Sequence, residues 1–293
     1  MKKLGRIRPK APTPRLRLSN YLPKIQVQPP PTCDYSQAAR PSLTNIFGND
    51  ALGDCVIAAG MHIVGVETGG AGDLFVPTSD QVIAQYSAIG GYVPGDPTTD
   101  QGCDPSVAIN YWQSSGFPNG TKLTGAIAID PSNPDEVRLA LYLFENLFLG
   151  FEVPDAWISP FPSADGFEWD VAGDPDPNNG HQVMACGYGP GGVTIDTWAL
   201  LGTLTWAALA KYCALSANGD LFALLTPDQI SAAIGKAPNG LAWADLVGDF
   251  DALGGQVPPA PAPTPPAPQP PTPSGPSLTL DQAIAALTAG WPS

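Results

Sequence analysis

Helix signals crowd the first half of this chain and strand signals the second, and that order constrains the fold more than any other feature. Apolar residues recur at Val56, Ala59, Ile63 and Val66 through Cys55 to Glu67, the spacing of one helical face. Thr78-Ser79-Asp80-Gln81 reads as a capping box for a helix through Ile89. Asp104-Pro105 opens another through Trp112, and Asn133-Pro134 a third through Leu147. The short apolar runs Phe148–Val153, His181–Gly187, Val193–Trp198 and Leu221–Leu225 then read as strands, set apart by Gly, Pro and Asp clusters. Short helices return over Trp206–Cys213, Pro227–Ile234 and Leu241–Leu253. A wound parallel sheet needs strand and helix in alternation. This chain predicts an α+β fold of two subdomains, helical half then antiparallel β half, with a cleft between them as the natural site.

Charge divides the chain further. Residues 1–40 hold nine of the 13 Lys and Arg against one acid, Asp34, a balance of +8; residues 41–293 hold four bases and 26 acids, a balance of −22, which together give −14. An acidic body has few cations for phosphate, so nucleic acid is not an expected partner. Opposite charges attract, so the extended basic arm is expected to lie along its own body. Within it, Arg15-Leu16-Arg17-Leu18 alternates like an edge strand. Composition breaks again after Gly255: eleven of the nineteen residues 258–276 are Pro, a spacer of about 60 Å in polyproline geometry. Thr279-Leu280-Asp281-Gln282 then caps a short helix with Leu280, Ile284, Leu287 and Trp291 on one face. The reading is an arm (1–40), a folded domain (41–255), a Pro-rich linker (256–277) and a docking helix (278–293).

Several classes are excluded. No apolar run approaches the 18 or more residues of a membrane span, and Met1–Lys10 lacks the apolar segment of a signal peptide. The five cysteines, Cys33, Cys55, Cys103, Cys186 and Cys213, are an odd number without a C-x-x-C, so reduced thiols are expected and neither a metal nor a cofactor. Asp174–Gly180 has calcium-loop composition, but its Gly falls seventh and Ala185 stands where the bidentate Glu belongs. That segment reads as a turn-rich loop delivering His181.

Two segments carry chemistry. Asn49-Asp50-Ala51-Leu52-Gly53-Asp54-Cys55 runs straight into the apolar helix, and Gly180-His181-Gln182-Val183 opens a strand with one of only two histidines. A thiol becomes a nucleophile when an imidazole takes its proton, and a helix N-terminus stabilises the thiolate. His62 lies seven residues, roughly 10 Å, along the helix from Cys55 and is expected to pack or cap. Asp54 beside Cys55 opposes ionisation. Read without chemistry, Cys55 is a buried helix residue and His181 a satisfied strand residue.

These segments resemble the papain-like cysteine peptidases. That family carries a Gln six residues before the nucleophile, Gly-x-Cys at the central helix, a Gly-His-Ala-Val strand and an Asn-Ser-Trp-Gly strand end. Here stand Asn49, Gly53-Asp54-Cys55, Gly180-His181-Gln182-Val183 and Asp196-Thr197-Trp198-Ala199, with Cys186-Gly187-Tyr188-Gly189 in place of Val-Gly-Tyr-Gly. The family's Trp after the nucleophile is Val56 here. Over residues 41–255 the chain is also similar to uncharacterised papain-fold proteins of phages and prophages. The resemblance implies Cys55 as nucleophile, His181 as general base within hydrogen-bond reach of it, Asp196 as orienter of the imidazole, Asn49 as oxyanion donor and Trp198 as a shield. The implied activity is a peptidase or amidase of phage origin acting on peptides or cell-wall peptides. The alternative is a non-catalytic phage structural or attachment protein, anchored to virion subunits through residues 1–40 and 278–293. Either implies the host cytoplasm or the virion.

Overall fold

The computed structural model describes residues 2–9, 16–22, 27–255 and 257. The expected docking helix, and the linker apart from Val257, lie outside them. The helical half holds α1 (Ser36–Leu43), α2 (Cys55–Gly70), α3 (Ser79–Gly90) and α4 (Pro105–Ser114). The second half adds α5 (Pro134–Phe144), α6 (Trp206–Tyr212), α7 (Pro227–Lys236) and α8 (Trp243–Ala252). Strands are β1 (Leu16–Arg17), β2 (Cys33–Asp34), β3 (Gly125–Ala128), β4 (Leu147–Glu152), β5 (Phe167–Trp169), β6 (Gly180–Gly189), β7 (Gly192–Thr197), β8 (Leu200–Thr205) and β9 (Asp220–Leu225).

Nearly every position of α2 is buried, as a helix apolar on all sides requires. Its Gly60 admits the Trp112 ring: a Cβ there would lie 2.3 Å from it. Cap chemistry fixes the neighbouring starts. Thr78 and Gln81 exchange capping bonds at α3, Thr226 and Gln229 do so at α7, and Asp104 and Asn133 cap α4 and α5 ahead of a Pro.

The sheet runs β1-β3-β9-β4-β6-β7-β8-β5, with β2 beside β6; the β1–β3 and β5–β8 pairs are parallel and the rest antiparallel. Its central strands are buried on both faces. Phe148, Met184, Cys186, Phe222 and Leu224 join the core around α2, while Leu149, Phe151, Val183, Ala185 and Leu221 join the core under α5. Alternate residues of one strand thus serve two cores.

Some boundaries move. The helix expected through Leu147 stops at Phe144: Glu145 is left-handed (φ 64°), and buried Asn146 bonds the Phe144 and Leu224 carbonyls before β4 begins. Strands β3, β5 and β8 and helix α1 carry no sequence pattern strong enough to be read. Leu18 and Tyr21, from the stretch read as the arm, are buried in the core under α5.

Candidate active site

Cys55 is the first residue of α2, and α2 packs on β6, so its sulfur meets the start of that strand. Hydrogen bonds from the backbones of Gln182 and Gly5 reach the sulfur. They do not offset its enclosure: burial first, and the Asp54 charge after it, push the thiol up to about 12. Asp54 is itself buried, which lifts its carboxyl to about 8.

His181 is fully buried one residue before Gln182. Its Nε2 lies 2.7 Å from Thr197 Oγ1, and its ring stacks on Trp198 with centroids 4.4 Å apart and planes within 16°. Its Nδ1 is buried without a hydrogen-bond partner, so no hydrogen bond joins Cys55 to His181 in this closed state. Burial, with the Lys2 charge adding to it, lowers the imidazole to about 3. Trp198 and Ala199, at φ 53° and 63°, make the two-residue turn between β7 and β8. A bulky residue in that conformation is strained, and here it sets the ring over the histidine.

The family resemblance implies Asp196 as the orienter of His181; the structure gives that contact to Thr197. Adjacent strand residues face opposite ways, so Asp196 turns toward α2 and places Oδ1 3.3 Å from His62 Nε2. Burial raises Asp196 and lowers His62 to about 3, pushing each toward its neutral form. His62 also packs on Phe47, ring centroids 4.8 Å apart, in the packing role expected for it. Asn49 is likewise not aimed at the sulfur. Its amide donates to Asp54 Oδ1 at 3.0 Å and to the Leu52 carbonyl at 3.2 Å, bracing the loop before Cys55.

What closes the site is the N-terminal arm. The Lys3 carbonyl accepts a bond from Trp198 Nε1 at 3.3 Å, and its ammonium pairs with Asp100, whose other oxygen takes the Gly53 N–H and the Tyr86 hydroxyl. The Gly5 carbonyl accepts from Cys103 N, and Ile7 N donates back to the Cys103 carbonyl. Arg6 N donates to the Gly180 carbonyl at 3.0 Å. A Cβ on Gly5 would fall 1.9 Å from the Gly53 oxygen, so only glycine threads this point. The cavity left among Asn49, Cys55, His62, Gln182 and Asp196 is about 10 Å³, no more than one water. Attraction between opposite charges is legible in the sequence; the place where the arm docks is not.

The fold that carries these residues has structural parallels. A cysteine protease of Xylella fastidiosa, xylellain, superposes with a TM-score of 0.54 at 14% identity, over 76% of this chain and 96% of that one. The chain has the papain-like fold. Two digestive procathepsins of Tenebrio molitor, L3 and L2, agree: TM-scores 0.52 and 0.51 at 14% and 13% identity, over 74% and 76% of this chain and 76% and 78% of theirs. No protein-family model matches the chain, and no curated protein matches it in sequence. In the papain-like fold the helical core and the sheet meet where Cys55 faces β6. Among the described residues no group of His, Cys, Asp and Glu could hold a metal ion, and no helix is long and apolar enough to cross a membrane.

Proposed function

We propose that the protein is a papain-like thiol hydrolase cleaving peptide or amide bonds, and that residues 2–7 of its arm hold it closed. The observation that supports this is His181: Thr197 occupies its Nε2 and Trp198 its ring face, leaving Nδ1 without a hydrogen bond one residue before Gln182, whose backbone reaches the Cys55 sulfur. If Nε2 carries the hydrogen and gives it to Thr197, Nδ1 is a base.

With the arm withdrawn, water reaches the cleft and the burial that keeps both groups neutral is relieved. The Cys55 proton passes to Nδ1, and sulfur bonds to the substrate carbonyl carbon. The C–N bond then breaks as the imidazolium returns its proton to the amine. Water, deprotonated by the same nitrogen, hydrolyses the thioester and restores the thiol. Asn49 is engaged elsewhere, so negative charge on the carbonyl oxygen falls to the N–H groups that open α2. Given the phage context of the sequence resemblance, cell-wall peptides or a virion protein are the substrates it suggests. The reading as a non-catalytic virion protein rests on that resemblance too, and its C-terminal anchor lies outside the described residues.

A cysteine-directed electrophile tests the proposal, applied near neutral pH to the full chain and to Arg6→Ala. Slow labelling of the wild type and selective, faster labelling of Cys55 in the variant support it. Equal, slow labelling of several cysteines in both removes it.

A further inference from the structure

Cys103 is buried in the same core as Cys55, and glycines bring the segments before the two thiols together. Gly53 stands two residues before Cys55, and Gly102 one residue before Cys103. Both close on Gly5 of the arm. A Cβ on Gly5 would fall 1.9 Å from the Gly53 oxygen, and one on Gly102 would fall 2.2 Å from the Gly5 oxygen. The Gly5 backbone hydrogen-bonds the Cys55 sulfur, and its carbonyl accepts from Cys103 N at 2.7 Å. Ile7 N donates to the Cys103 carbonyl at 2.8 Å. A single arm residue thus joins the Cys55 sulfur to the Cys103 backbone.

The two segments are also tied without the arm. Asp100 Oδ1 accepts the Gly53 N–H at 3.0 Å and the Tyr86 hydroxyl at 2.6 Å. That hydroxyl in turn accepts the Gly102 N–H at 2.9 Å. Burial raises the Cys103, Cys186 and Cys213 thiols alike, and a neighbouring charge adds to each. For Cys186 that neighbour is Asp196 and for Cys213 it is Asp220, but for Cys103 it is Cys55. Cys103 has no part in the hydrolysis set out above.

We propose that Cys55 and Cys103 form a reversible disulfide once the arm has left, with a peroxide as the oxidant. The Cys55 sulfur attacks one oxygen of hydrogen peroxide, the O–O bond breaks, and hydroxide leaves with the thiol proton as water. The Cys103 sulfur then bonds the Cys55 sulfur, and the displaced hydroxyl leaves with the Cys103 proton as a second water. The two thiols lose two electrons and the peroxide gains them. A sulfenic acid with no thiol beside it goes on to sulfinic acid, which ordinary reductants do not reverse. Cys103 therefore keeps oxidation of Cys55 recoverable. In the closed protein the seated arm excludes the oxidant. That the bond silences peptide cleavage rests on the hydrolase reading above; the bond itself does not.

The test uses the full chain carrying Arg6→Ala. That variant loses the buried pair of Arg6 Nη2 with Asp220 Oδ2, 2.6 Å apart, which seats the arm over Gly150. It is treated with a small excess of hydrogen peroxide near neutral pH, alkylated, digested without reduction and mapped by mass. A peptide pair joined through Cys55 and Cys103, two hydrogens lighter than its parts, is expected in Arg6→Ala and not in the wild type. Dithiothreitol should then restore labelling of Cys55. In Arg6→Ala/Cys103→Ala, sulfinic acid should build up on Cys55 about ten-fold faster or more, beyond recovery by dithiothreitol. Gly5→Ala, whose Cβ cannot pass Gly53, opens the groove by a second route and should form the same bond. Absence of the joined pair from both opened variants overturns the proposal. So does an equal yield in the wild type, a bond from Cys55 to Cys33, Cys186 or Cys213 instead, or sulfinic acid formed equally with and without Cys103. Hydrolysis separates the two readings. An opened protein that cleaves peptides and forms no bond keeps the hydrolase reading and loses the disulfide; one that forms the bond and cleaves no peptide before oxidation does the reverse.

Discussion

The two faces of β7 each hold a buried histidine. On one face His181 meets a hydroxyl and an indole, Thr197 and Trp198; on the other His62 meets a carboxyl and a phenyl ring, Asp196 and Phe47. Burial lowers both imidazoles to about 3. The difference lies in what surrounds them. Trp198 sits in a strained turn and donates to the Lys3 carbonyl of the arm, whereas His62 is buried in the middle of α2. On the proposed function it is His181 that acts, so a histidine beside a carboxyl group does not by itself make a catalytic set.

The largest effect expected on this contrast is total. Cys55→Ser and His181→Ala should each lower peptide hydrolysis by about 10³-fold or more in an opened protein, measured by initial rates in the Arg6→Ala background. His62→Ala should instead cost about 2–4 kcal/mol in stability, read by denaturant titration, while hydrolysis per folded molecule stays within a few-fold. A loss of activity in folded His62→Ala equal to that of His181→Ala would break the distinction between the two faces.

Opening the arm comes next. Arg6→Ala removes half of a buried pair, so labelling of Cys55 should rise about ten-fold or more while the melting temperature falls. Because the closed thiol stands at about 12, wild-type labelling should stay slow throughout the neutral range.

Smaller still is the orienting bond. Thr197→Val deletes one neutral hydrogen bond worth about 0.5–1.5 kcal/mol, so the hydrolysis rate should fall about ten-fold or less. Asp196→Asn, on the other face, should leave the rate nearly unchanged. A reversed order of these two variants would return the orienting role to the carboxyl.

A further effect, on stability and not on rate, is one of pH. The Asp54 carboxyl ionises near 8 in the folded protein and about 4 in the unfolded chain. Between those values the folded state holds a proton that the unfolded state has lost, so this group's contribution to stability falls as pH rises through the window. Asp54→Asn removes that dependence. Its melting temperature relative to wild type should therefore climb from pH 5 to pH 9, and a flat difference would mean that Asp54 ionises normally.

Local chemistry alone determined much of this protein. Cap residues at Thr78, Asp104, Asn133 and Thr226 start helices wherever they stand, because each side chain satisfies an N–H within three residues of itself. The apolar runs of β4, β6, β7 and β9 need burial in any fold, and a Cys at a helix mouth with a distant His is visible as a pair. Strand β8, Leu200-Leu201-Gly202-Thr203-Leu204-Thr205, is not visible, since its burial comes from neighbours rather than from its own pattern. The partner of His181 is not visible either: Asp196 and Thr197 are adjacent in sequence, and only the pleat and twist of β7 decide which of them faces the ring. Nor could sequence place Arg6, which meets Asp220 across 214 residues through a slot left by one glycine. Capping and periodicity act over a few residues, whereas the arm's seat and the histidine's partner depend on surfaces that exist only after distant strands have paired.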